Sequence, residues 1–289
     1  MNGLYLDERR LTEAAKVTNA WESYVHEKYA TPVEFRDYNK ALSIQPEVAR
    51  FYKANHENQT LEHVLAMKKR YGQLDKAWMG VWETLEILNG LVDDSDPDMG
   101  DVTQITHALQ AAEAARREGL PRWFILTALI HDMGKLLYFF GEQQWTVVGD
   151  TFPVGCRFAD NIVHREYFAN NPDFYDKIYS TEYGIYSPQC GIDNVHLSYG
   201  HDEYMYQVCQ KYLPPEALFI IRYHSFFACH CDGEYDWIMT DSDREKLEWL
   251  KVFMRYDVCS KATPEPDVQE LKPFYQALIA EFFPPKIRW

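Results

Sequence analysis

Residues 123–140, WFILTALIHDMGKLLYFF, are apolar on nearly every side, as a helix buried all round must be. In the middle stand His131, Asp132 and Lys135. Three polar side chains near the centre of so short a run would be costly in lipid, which argues against a membrane span. In a protein core they are costly too, unless each has a partner. A metal ion is the most economical partner for an adjacent histidine and aspartate. Consecutive helical residues point about 100° apart, so both can reach one cavity. Lys135 falls one turn beyond His131 on the same face. The stretch thus offers a neutral nitrogen ligand, a carboxylate able to bridge two metals, and a cation beside them. The plainer reading is a buried His–Asp pair neutralised by Lys135.

The 289 residues, 46% of them hydrophobic, suffice for one large core. A formal charge of −15 argues against nucleic acid and anionic membrane as partners. The first residues, MNGLYLDERRLTEAAKV, hold no apolar segment of the secretory type. Cys156, Cys190, Cys209, Cys229, Cys231 and Cys259 form no C-x-x-C pair and no disulfide framework, which points to a reducing, cytoplasmic setting. Cys229-His230-Cys231 is a poor match to a tetrahedral zinc site and reads as a turn.

Around the central stretch the chain reads as helices joined by short breaks. Residues 11–29 form an amphipathic, exposed helix, broken at Pro32; Arg36, just beyond, reads as part of a surface ion pair. Residues 46–71 predict one long helix, and residues 75–90 another closed by Gly90. In LVDDSDPDMGD, residues 91–101, the alternating acids Asp94, Asp96 and Asp98 suggest a calcium loop. The spacing fails, because Met99 and Ile105 occupy the glycine and glutamate positions; Asp93 stays open to another role. The helix over 102–117 carries His107 among Ala108, Ala111, Ala112 and Ala115, small residues that let a neighbour approach closely. Residues 142–157 are a loop with neither a phosphate-loop nor a dinucleotide signature, whose backbone could approach a small ligand at Gly149. Residues 158–195 are irregular, and the expectation is a lid or short helices. His201 and Asp202 open a helix over 196–212, Pro214-Pro215 begins one that leads into His224 and Ser225, and Asp257 and Lys261 share a face of a helix over 241–262. A last helix covers the tail. The fold class is all-α, in one domain, with no strand alternation.

His107, His131–Asp132, His201, His224 and Asp257 thus lie on different helices, in the order H…HD…H…H…D. That order resembles the HD-domain superfamily, in which helices converge to hold metal. The local sequences LIHDMGK, VVGDTFPVGCR, YGHDEYMYQV, IRYHSF and YDVCSK, with FRDY and LVDDSDPD, are similar to the myo-inositol oxygenase family from about residue 35 to the end. The resemblance implies a single-domain HD-like helical bundle over residues 35–289, with residues 1–34 an N-terminal helical arm. It implies a buried di-iron site, mixed-valent Fe(II)/Fe(III), that uses O2 to cleave the ring of myo-inositol to D-glucuronate after hydrogen is taken from C1. By motif match the iron ligands are His107, His131, Asp132, His201, His224 and Asp257. Lys135 and Asp132 are the catalytic groups. Arg36, Asp93, Lys135, Gly149, Asp150, His224, Ser225 and Lys261 meet the substrate. Counting donors leaves the His201/His224 iron more open positions, so the diol belongs there. No nucleic acid or membrane enters, and the chain is expected to be a cytoplasmic monomer. The alternative is a metal-dependent HD-type phosphohydrolase with Lys135, Arg36 and Lys261 on phosphate. A non-catalytic metal-binding scaffold is a third reading. Iron with O2 uptake, against a redox-inert metal with phosphate release, separates the two enzymes.

Overall fold

The computed structural model describes residues 46–95, 102–259 and 266–289, without the side chains of Val258 and Cys259. The expectations for the first 45 residues, including the arm and Arg36, lie outside this range, as do Asp96, Asp98 and Lys261.

Helix α1 (Pro46–Asn58) begins with proline at its first position, where a missing N–H costs nothing. The long helix expected over 46–71 is two. The chain breaks at Gln59 and Thr60, and the Thr60 hydroxyl accepts the His63 N–H at 3.1 Å to start α2 (Leu61–Tyr71). The helix expected over 75–90 is shortened to α3 (Val81–Leu88), preceded by strand β1 (Trp78–Met79). Its C-cap is Asn89 in a right-handed conformation, so Gly90 does not close it. Helix α4 (Gln104–Arg117) is N-capped by Thr103; its Ala108, Ala111, Ala112 and Ala115 are buried, and it packs closely on α5 (Arg122–Ile130).

The central stretch is where the sequence reading needs correction. It is not one α-helix: α5 stops at Ile130, and residues His131–Phe140 continue as a 3-10 helix that ends at Gly141 in the left-handed region, φ 96°. Every residue of α5 from Phe124 to Ile130 is buried, in accord with its unbroken apolar surface. The segment has the length and hydropathy of a membrane span, yet most of it is enclosed by the fold.

The irregular segment expected up to residue 195 holds 3-10 turns at Gln144–Thr146, Arg165–Asn170, Pro172–Tyr175 and Ile192–Asn194. The helix expected over 196–212 is shortened to His201–Cys209, because Leu197 is drawn into an isolated antiparallel bridge with Pro153. Then come α6 (His201–Cys209), α7 (Pro215–Tyr223), the single turn α8 (Phe227–His230), α9 (Asp241–Cys259) and α10 (Val268–Phe282). Strand β2 (Ile287–Arg288) pairs antiparallel with β1, Trp78 opposite Arg288 and Met79 opposite Ile287; this small sheet has no counterpart in the sequence reading. Helices α4, α6, α7 and α9 surround α5 and the 3-10 helix, directly or through one another.

Candidate metal centre

The six residues proposed as metal ligands come from five segments. His107 lies in the first turns of α4, and His131 and Asp132 open the 3-10 helix. His201 is the first residue of α6, His224 caps α7, and Asp257 lies near the end of α9. The four histidines are 1–3% exposed. Gly134 permits this convergence: a Cβ there would sit 2.0 Å from the His201 carbonyl oxygen, so only glycine lets the 3-10 helix touch the start of α6.

The ligand atoms form two groups. His107 Nε2 and His131 Nε2 lie 3.1 and 3.3 Å from Asp257 Oδ1, and 3.7 and 3.5 Å from Asp132 Oδ2. His201 Nε2 and His224 Nε2 lie 3.2 and 3.5 Å from the other oxygen of the same carboxylate, Asp132 Oδ1, and 3.1 Å from each other. Asp132 therefore stands between the groups with one oxygen toward each.

Backbone carbonyls fix how three of the rings face. His131 Nδ1 is 3.0 Å from Ala128 O, His201 Nδ1 2.8 Å from Val147 O, and His224 Nδ1 3.0 Å from Ile221 O. A carbonyl only accepts, so each Nδ1 carries a proton, and each ring in its neutral form turns the Nε2 lone pair inward. Two such lone pairs 3.1 Å apart, on His201 and His224, repel unless a cation lies between them. His131 Nε2 is likewise buried with no hydrogen bond. Metal–nitrogen bonds of about 2.1 Å place adjacent ligands of an octahedral ion roughly 3.0 Å apart, close to the separations seen. The donor set fits two metal ions, and imidazole with carboxylate suits iron.

The electrostatics agree. For His224, burial opposes protonation but is outweighed by Asp202 and Asp132, and its pKa is pushed up to about 9: a proton takes the place of a metal. For Asp132, burial opposes ionisation but Lys135 and His131 prevail and hold the carboxyl well below its usual range. For Asp257 the adjoining His107 and His131 rings do the same against burial.

Lys135 does not share a direction with His131. In a 3-10 helix residues i and i+3 eclipse, which puts Lys135 over Asp132. Its Nζ lies 2.8 Å from Asp132 Oδ2 and 2.8 Å from Asp93 Oδ2, and donates to Gln104 Oε1 at 3.4 Å. Asp93 is buried, and Ser95 donates to its other oxygen through both N–H and hydroxyl. Asp93, open in the bare sequence, thus joins the site through Lys135. Gln104, with its side-chain nitrogen buried and unbonded, was not singled out.

The loop after the 3-10 helix straps the His201/His224 side. Val147 O accepts from the His201 backbone N–H at 2.8 Å, and the Thr151 N–H donates to Ser225 O at 2.9 Å. Between these anchors Gly149 takes φ 91°, where a Cβ would meet the Phe51 ring at 2.6 Å, and Asp150 is buried. Asp202 is also buried here: its Oδ1 lies 3.1 Å from His224 Nδ1 and its Oδ2 3.5 Å from His201 Nδ1. The sequence signal that could have found it is the second His-Asp dipeptide, His201-Asp202.

Residues 45–289 match the model of a protein family described as myo-inositol oxygenase. Among similar proteins, inositol oxygenase 4 of Arabidopsis thaliana is 49% identical over 264 residues, covering 89% of this chain and 83% of the relative. The inositol oxygenase of Danio rerio is 41% identical over 275 residues, covering 93% and 98%.

Proposed function

The chain belongs to the myo-inositol oxygenase family and is a metal-dependent oxygenase of that kind, and we propose that it cleaves the ring of myo-inositol with O2 to D-glucuronate at two irons. Myo-inositol and O2 together have the composition of glucuronic acid and one water. The four electrons lost by the polyol are the four that O2 accepts, so no outside reductant enters. One iron is assigned to His107, His131, Asp257 and Asp132, the other to His201, His224 and the same Asp132, in a mixed-valent Fe(II)/Fe(III) pair. The observation that carries this reading is the division of the Asp132 oxygens between two histidine pairs.

Bound iron supplies Lewis acidity toward a polyol hydroxyl and one-electron chemistry with O2. The chain's residues do the rest. The His201/His224 group holds one carboxylate oxygen fewer than its neighbour, which leaves it more room for a vicinal diol. Ser225, Gly149 and Asp150, on and beneath the strap, are proposed as substrate contacts on that side; Arg36 and Lys261, proposed as contacts with them, lie outside the described residues. Burial opposes the charge on Lys135, but Asp132 and Asp93 outweigh it and hold its pKa above the usual lysine range. Lys135 therefore acts as a fixed cation that stabilises an alkoxide, not as a base. The chain is read as a monomer, since the six ligand residues need no second copy to complete the set, and as cytoplasmic, the described cysteines being free. An HD-type phosphohydrolase is not favoured, because relatives that align with most of the chain are named inositol oxygenases.

The test is O2 uptake by iron-loaded protein with myo-inositol, beside a phosphatase assay with magnesium or manganese. One glucuronate per O2 and no phosphate release is the expected result. Phosphate release without O2 uptake would overturn the assignment.

A further inference from the structure

The two metal groups are unequal in charge. Asp257 Oδ1 and Asp132 Oδ2 face His107 and His131, whereas only Asp132 Oδ1 faces His201 and His224. Behind this second pair of rings lies Asp202, 1% exposed. Its Oδ1 is 3.1 Å from His224 Nδ1 and accepts the Ser225 N–H at 3.3 Å; its Oδ2 is 3.5 Å from His201 Nδ1 and makes no hydrogen bond. Among the described residues its ion-pair partners are these two imidazoles, with no lysine or arginine. The contrast with its neighbour is direct. Glu203 is paired with Arg222 at 2.8 Å and Lys68 at 3.3 Å. A buried carboxylate without a cation is costly. Asp202 is compensated only by whatever positive charge the two rings carry, and a metal ion on their far nitrogens supplies it.

We propose that Asp202 is the positioning residue of the His201/His224 metal, one carboxylate shared by two ligand rings that supplies, through their Nδ1 atoms, the negative charge this group lacks at its inner face. The inference rests on the two-metal reading above. Asp202 is not itself a ligand of that ion, because it lies on the Nδ1 side while the Nε2 atoms converge with Asp132 on the other. An ion on the Nδ1 side would have to displace the protons that His201 and His224 donate to Val147 O and Ile221 O. Carboxylate–histidine–metal relays fix ring orientation and raise ligand basicity, and losing the outer partner typically weakens metal binding about 10- to 100-fold.

The experiment is anaerobic Fe(II) titration of the metal-free chain, with metal counted after gel filtration, for wild type, D202N and D202E. Asparagine keeps an oxygen for the Ser225 N–H and His224 Nδ1 but carries no charge; glutamate restores the charge one methylene further out. Wild type is expected to bind two irons. D202N is expected to bind the first with unchanged affinity and the second about 10- to 100-fold more weakly, with D202E recovering part of the loss. Metal-free D202N is expected to remain folded, since asparagine keeps the shape and the oxygen at the Ser225 N–H. Two irons bound by D202N as tightly as by wild type would overturn the proposal. So would equal weakening of both sites, or a metal-free D202N chain that does not fold, either of which makes Asp202 a support of the fold. A wild-type chain that binds a single iron would instead remove the two-metal reading.

Discussion

Asp132 stands within 3.7 Å of four imidazole nitrogens and 2.8 Å from an ammonium. Asp132→Asn preserves its shape and replaces one oxygen donor by an amide nitrogen that cannot ligate. Metal content should drop well below two per chain and inositol-dependent O2 uptake should vanish; two tightly bound irons with near-normal uptake would exclude a bridge. Lys135 is the other decisive side chain. Lys135→Met leaves Asp93 and Asp132 buried without their cation, a change that costs about 3–5 kcal/mol in comparable pairs. The sign of its pH dependence follows from Asp93. In the wild type, burial pushes this carboxyl up, but Lys135 and Ser95 outweigh burial and hold it below its usual value. Its contribution to stability is therefore present at neutral pH and lost only as pH falls through that depressed value. Without Lys135 burial leads, the carboxyl titrates higher, and protonation relieves the variant first. The stability gap between metal-free variant and wild type should be widest near neutrality. It should narrow as pH is lowered toward roughly 4, the ordinary carboxylate range. Denaturation midpoints across that range read it, and a gap independent of pH would show that Asp93 is not the group Lys135 holds.

At the scale of elements, the site depends on how closely the 3-10 helix and α6 approach. Gly134→Ala forces a methyl group to within 2.0 Å of the His201 carbonyl, so either the segment with His131 and Asp132 or the start of α6 must move. Overpacking of this sort costs about 1–3 kcal/mol, or more where backbone is the obstacle. Gly134→Ala is expected to lower both the unfolding midpoint and the iron bound per chain; full iron content would mean that the histidines are positioned independently of this contact. A second restraint joins α6 to α7. Arg222, two residues before His224, binds Glu203, two residues after His201, and also reaches Asp193 at 2.8 Å. Arg222→Met leaves the half-buried Glu203 with Lys68 as its one remaining cation among the described residues, and a loss of about 1.5–3 kcal/mol in denaturant unfolding is expected. Much of this level could be read in advance. The helices carrying His107, His201, His224 and Asp257 were each expected from apolar spacing and punctuation. The break at Ile130 was not, because a 3-10 continuation of an apolar helix has no distinct signal in residue type. It is set by the need to pack Gly134 against α6 while His131 bonds Ala128 O.

At the scale of the whole molecule, residues 287–289 are tied to residues 76–79, far away in the chain. Trp289 is fully buried, its N–H donates to Ala77 O, its carbonyl accepts from Lys76 and Ala77, and its ring nitrogen donates to Met79 O at 3.3 Å. Trp289→Ala should cost about 3–5 kcal/mol in unfolding free energy, with O2 uptake per folded chain retained, since these contacts lie with β1 and not with the ligand residues. What the sequence determined by itself is the all-α class, the identity of the residues with ligand chemistry and their order along the chain, because hydrophobic period and side-chain type are local properties. It carried two His-Asp dipeptides, His131-Asp132 and His201-Asp202, of identical composition. The motif match put Asp132 and not Asp202 among the ligands, but only the tertiary structure shows why. At the start of the 3-10 helix the carboxylate of Asp132 turns inward between two pairs of Nε2 atoms. In the first turn of α6, with His201 held by Val147 O, the carboxylate of Asp202 falls behind the rings, on Nδ1. Which face of an imidazole a neighbouring carboxylate meets depends on backbone geometry and on carbonyls contributed by segments distant in the chain, and neither is written in the dipeptide.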